Sequence, residues 1–68
     1  MHRAYGFPVA KASEEEVAML AQAMGMVSVQ ADCTLDEALT LINERAWVSR
    51  HTVYEVAAAV VDRAIRFG

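Results

Sequence analysis

Arg45, Trp47, Arg50, His51 and Tyr54 crowd into one short stretch of the chain, with cationic groups and flat rings interleaved. Guanidinium groups pair with phosphates and rings stack on unpaired bases, so this alternation suits the loops of folded RNA. Arg63 and Arg66, further along, are auxiliary cations for the same surface. The stretch also has a purely structural use. A tryptophan ring can close the end of a core, and an arginine near a helix C-terminus is favoured by the helix dipole. Catalysis has little to work with: no serine, histidine and acid stand in register, and no glycine loop is built to cradle a phosphate. His51, beside a turn, reads as solvent-exposed, and the expectation is a protein that is not an enzyme.

Charge restricts how a nucleic acid would be met. Nine acidic and six basic residues give a formal charge of −3, which argues against broad attraction to a polyanion. Three of the acids, Glu14, Glu15 and Glu16, stand together where a first helix begins and complement its dipole. Beyond Thr34 the arginines 45, 50, 63 and 66 are set among five acids, so an anionic partner meets a local patch. The one cysteine, Cys33, cannot form an internal disulfide and reads as an inert small hydrophobe in a reducing compartment. His2, His51 and Cys33 lie too far apart for metal-ligand spacing, so no metal or cofactor is expected. No stretch has the length of a membrane span or the apolar core of a signal peptide, which points to a cytoplasmic protein without a membrane partner.

The elements that must position these groups are announced by a repeated signal. A hydroxyl residue is followed three positions later by glutamate at Ser13/Glu16, Thr34/Glu37 and Thr52/Glu55, and an apolar run at helical spacing follows each. These are capping boxes, in which the hydroxyl accepts from a first-turn amide and the glutamate reaches back to the cap's own amide. The prediction is an all-α three-helix bundle over residues 13–68, preceded by an irregular arm over 1–12 that contains Gly6 and Pro8. The helices are expected over Glu14 to about Ala31, Leu35 to about Trp47, and Val53 to Phe67, with Val48 to His51 as the second turn. In the third, Val53, Val56, Ala57, Val60, Ala64 and Phe67 share a face, while Asp62 and Arg66 are spaced for an outer i,i+4 pair.

The first helix is apolar on two sides. One stripe is Val17, Leu20, Ala21, Met24, Val27 and Ala31; Met19, Ala23, Met26 and Val29 project from the other side. A helix apolar on two sides is normally buried on two sides. Sixty-eight residues sit near the lower limit for a self-sufficient core, and 56% of them are hydrophobic, so burial against a second copy is expected. Met19, Ala23, Met26 and Val29 are the expected homodimer interface, with the arm's Tyr5, Phe7 and Val9 as the alternative cover. Gly25, mid-helix, calls for a close approach or a bend to offset its lost helix propensity.

Two helices joined by a short turn also have the spacing of a helix-turn-helix for DNA. The first turn of its recognition helix would offer Val53, Tyr54 and Glu55, poor readers of base edges.

The order of residues adds a resemblance. Leu20 to Val61 resembles the ANTAR domain of bacterial transcription antitermination regulators through QAMGM at Gln22 to Met26, CTLDEAL at Cys33 to Leu39 and VYEVAAAVV at Val53 to Val61. The landmarks follow in the family's order without a gap, over about 42 of 68 residues. The resemblance implies a three-helix, commonly dimeric RNA-binding domain that holds paired hairpins in a leader transcript and so prevents an overlapping terminator. Ala23, Gly25, Ala38 and Ala57 match the family's packing positions, and Ser49, Arg50, His51 and Thr52 match its polar turn. Met24, Asn43 and Glu44 stand where basic residues are common, and Tyr54 where an arginine is frequent, which implies fewer phosphate contacts and a shallower salt dependence. Members usually carry a sensor domain ahead of the module; none is expected here, so control would come from abundance or a regulatory protein partner. The alternative is a protein-interaction module of the same fold.

Overall fold

The three capping boxes form, and each starts a helix. The computed structural model describes residues 12–68, and these build α1 (Glu14–Gln30), α2 (Leu35–Ser49) and α3 (Val53–Val61) with no β-strand among them. The Glu16 amide donates to Ser13 Oγ at 3.1 Å while the Ser13 amide donates to Glu16 Oε1 at 2.9 Å. The pairs Thr34/Glu37 and Thr52/Glu55 repeat the geometry at 3.1 and 2.9 Å and at 3.0 and 2.8 Å. Each box satisfies two amides that a helix start leaves without partners. Tyr5, Phe7, Val9 and the rest of the expected arm up to Lys11 lie outside the described residues.

The helices stop by a second shared device. Asp32, Arg50 and Arg63 all adopt the left-handed conformation, with φ of 54°, 61° and 62°. After α1, the Cys33 amide donates to the Ser28 carbonyl at 2.9 Å; after α2, His51 donates to Ala46 at 2.9 Å; after α3, Ala64 donates to Ala59 at 2.8 Å. These are Schellman closures, which satisfy the last carbonyls of a helix and turn the chain sharply. Glycine usually fills the left-handed position, and a side chain there costs about 1 kcal/mol. Both connections between helices are therefore short and held at both ends, by a Schellman closure and by the capping box that follows it.

The core is small and closely packed. Ala23 and Val27 of α1, Ala38, Ile42 and Ala46 of α2, and Val53, Val56, Ala57 and Val60 of α3 are buried, with no buried polar side chain among the described residues. Alanines at the contact positions let helix axes approach toward the short end of the ~8–10 Å range. Met19, Leu20, Met24, Met26, Leu41, Ile65 and Phe67 pack around this centre.

Three expectations need correction. The core face of α1 is centred on Ala23 and Val27, rotated roughly 70° from the expected stripe when residues advance about 100° each. It draws Leu20 and Met24 from one proposed stripe and Met19 and Met26 from the other, leaving Val17 and Val29 exposed. The apparent two-sidedness was one wide face bordered by flexible methionines. Ala23, expected at a dimer interface, is thus enclosed by its own chain.

Secondly, α2 runs on to Ser49, so Val48 and Ser49 are helical and the turn begins at Arg50, while Leu35 in the first turn of α2 is exposed. Thirdly, α3 ends at Val61, six residues before Phe67. Continued as a helix, Ile65 would lie about 140° from Val60 and miss the core face. The break at Arg63 lets both Ile65 and Phe67 pack on the core, leaves Ala64 exposed, and removes Asp62 and Arg66 from any shared helix. The returning tail is tied by the Phe67 amide donating to Gln30 Oε1 at 2.9 Å. A Cβ on Gly68, whose φ is 101°, would collide with the Gln30 carbonyl, so the tail passes where only glycine fits.

Candidate nucleic-acid interface

The turn between α2 and α3 consists of Arg50, His51 and Thr52, and both its ends are fixed by backbone hydrogen bonding. Arg50 and His51 both donate to the Ala46 carbonyl, the first as the α2 cap and the second across the Schellman closure. Thr52 then caps α3. The two cationic or titratable side chains therefore project from a backbone with little freedom, which reduces the ordering cost of any contact they make. Arg50 also stands at the C-terminal end of α2, where positive charge is favoured by the dipole.

Arg45, Trp47, Arg50 and His51 are exposed at this end of the bundle, Trp47 at 42% of its surface. Tyr54 is half-buried and packs against the core, so it contributes an edge and not a free ring. Val48 is 83% exposed between Trp47 and Ser49. An aliphatic side chain held in water beside a tryptophan extends the apolar part of the surface on which a base could lie. Sequence reasoning missed Val48 because it assigned that residue to the turn.

A cleft of about 360 Å³ opens between α2, α3 and the tail, lined by Arg45, Ser49, His51, Glu55, Val56, Ala59 and Ile65. Its floor is aliphatic and its rim carries Arg45 and His51. The Ser49 hydroxyl is committed to the Arg45 carbonyl at 2.6 Å, and the Glu55 carboxylate to the Thr52 amide at 2.8 Å. The Arg45 guanidinium lies 5.5 Å from the centroid of the Phe67 ring, within cation–π reach, an attraction of about 0.5–1 kcal/mol at an exposed site. The tail thus steadies Arg45 through Phe67, a role that no periodic pattern announces, since the ring acts after the helix has ended.

Arg63 and Arg66 fall elsewhere. They line a second open cleft of about 500 Å³ with Gln22, Gly25, Met26, Val29 and Gln30 of α1. The expected cations therefore do not form one group: Arg45 and His51 border the first cleft, Arg63 and Arg66 the second, and Arg50 lines neither. Of the expected dimer residues, Met19 and Met26 are half-buried against the chain's own core, and Val29 is 81% exposed.

Cys33 is half-buried, and desolvation followed by the carboxylates of Glu37 and Asp32 pushes its thiol above the ordinary value. Those causes keep it protonated and a poor nucleophile at neutral pH. Among the described residues, no group of three or more His, Cys, Asp or Glu side chains could hold a metal ion, and no helix is long and apolar enough to cross a membrane. No family model matches the chain, and no curated protein or solved structure matches it either.

Proposed function

We propose that this chain is an RNA-binding regulator of transcription antitermination that grips leader hairpins with the end of the bundle bearing Arg45, Trp47, Arg50 and His51, and that it acts as a homodimer on paired hairpins in the cytoplasm. The observation that carries the reading is the exposure of two arginines, an indole and an imidazole around a three-residue turn fixed from both sides. A hairpin loop offers phosphates and unstacked bases within a small volume, and this end of the bundle offers exposed cations and an exposed indole. The order of landmarks shared with the ANTAR domain supports the same reading. A preformed stem-loop held in place cannot re-pair into an overlapping terminator, so binding alone suffices and no catalysis is required.

The chain's charge of −3 sets the strength of this interaction. With few cations on the surface, affinity for one hairpin is modest and rises when two subunits engage two hairpins whose spacing matches. The test is Arg50→Ala, titrated against single- and tandem-hairpin leader RNA across a range of salt. The expected result is unchanged helicity, affinity lower by about tenfold, and a slope of log affinity against log salt reduced by about one contact. Unchanged affinity would remove this surface from RNA recognition, and a preference for duplex DNA over hairpin RNA would favour the helix-turn-helix alternative.

A further inference from the structure

The outward face of α1 is electrically polarised from end to end, and no residue of the described chain accounts for its shape. Glu14, Glu15, Ala18, Gln22, Gly25 and Val29 fall within roughly 100° of the helix circumference, on the side away from Ala23 and Val27. The N-terminal end of this face carries the carboxylates. Its C-terminal end is bordered by Arg63 and Arg66, which the break after α3 brings alongside Met26, Val29 and Gln30. Asp32 and Asp62, the carboxylates nearest in sequence, do not line that cleft. In the middle, a Cβ on Gly25 would meet nothing within 4 Å, so the absence of a side chain there serves no packing within the described residues.

A face that is acidic at one end, uncharged in the middle and basic at the other is complementary to itself under a two-fold rotation. We propose that a second copy of this chain docks here, its α1 antiparallel to the first, with the two Gln22 residues near the axis. In an isologous pair each contact occurs twice, so both ends join opposite charges. Glu14 and Glu15 of each copy approach Arg63 and Arg66 of the other, and Ala18 of each enters the hollow over Gly25. Glu15 to Val29 spans about 21 Å of helix, so one continuous contact reaches both charged ends. The interface differs from the one expected from sequence: Ala23 takes no part, Met19 and Met26 contribute only their edges, and Arg63 and Arg66 leave the RNA surface. This inference specifies the homodimer in the function proposed above, yet self-association is measured without RNA.

Sedimentation equilibrium on the purified chain, from micromolar to submillimolar concentration, is expected to give a reversible dimer. The double variants E14K/E15K and R63E/R66E each place like charges at both ends, and each is expected to dissociate at least about tenfold more readily. Mixed in equal amounts, they restore one inverted and one native pair of charges, and the heterodimer is expected to form as readily as the original dimer. Because lysines at a helix start weaken the helix, Gly25→Trp serves as an independent variant: its side chain enters open space in the monomer, so the fold is kept and the dimer is lost. A monomer throughout the concentration range, mixed variants that fail to pair, or a Gly25→Trp dimer of undiminished affinity would overturn the proposal. Single-hairpin binding, measured separately on Gly25→Trp, is expected to be unchanged, so that failure of the dimer and failure of RNA recognition give different results.

Discussion

Arg50 and Arg63 occupy the same backbone conformation, at φ 61° and 62°, and each closes a helix, yet the chain does opposite things after them. After Arg50, Thr52 and Glu55 form a capping box within two residues and restart a helix. After Arg63 no capping pair follows, and Ile65 and Phe67 return the chain to the core. The stop is the same; what comes next in sequence decides whether it becomes a turn or a tail. The turn exposes its cations at the end of the bundle, while the tail places Arg63 and Arg66 along α1 and sets Phe67 beneath Arg45.

The largest effect should come from removing the anchor of the tail. Phe67→Ala deletes a half-buried ring and its contact with Arg45, and should destabilise the fold by about 2 kcal/mol in denaturant titrations. A loss indistinguishable from zero would mean the tail is not held by its apolar residues, and the contrast with the turn would dissolve. Next in size, Thr52→Ala removes the cap that restarts the chain as α3 and should cost about 1 kcal/mol, with helicity lost from the α3 side of the turn in amide exchange.

The smallest expected effect sharpens the likeness between the two stops. Arg50→Gly and Arg63→Gly should each stabilise by up to about 1 kcal/mol, because glycine adopts the left-handed conformation without a clash. Their functional consequences should then diverge: Arg50→Gly loses hairpin affinity while gaining stability, and Arg63→Gly gains stability with hairpin affinity unchanged. Equal loss of affinity in both would unite the two arginines in one RNA surface.

The same contrast explains what could be read from residue order. All three helix starts were legible because a capping box is a local pair, Ser13/Glu16, Thr34/Glu37 or Thr52/Glu55, whose chemistry is complete within four residues. The stops at Asp32, Arg50 and Arg63 were less so, since none uses the glycine that normally marks a left-handed closure. The end of α3 was lost for that reason: Ala64 and Phe67 kept the helical period, and only packing of Ile65 decides against it. The orientation of α1 was hidden by composition, because Met19, Met24 and Met26 on several sides of a helix flatten the apolar pattern. The cluster Arg45 to His51 was visible as a list of residues, while its division from Arg63 and Arg66 depends on a tail that only tertiary contacts place.

The proposed regulator depends on one end of the bundle meeting RNA. Titrating the nitrogen-15-labelled chain with a short-looped hairpin RNA, and following backbone amides with the Trp47 indole, tests this most directly. The largest shifts are expected to cluster at Arg45 to Tyr54 and at Phe67, whose ring lies against Arg45, with the outward face of α1 little changed. Shifts centred on Gln22 to Val29, Arg63 and Arg66 with the turn silent, or no shifts at all, would contradict it.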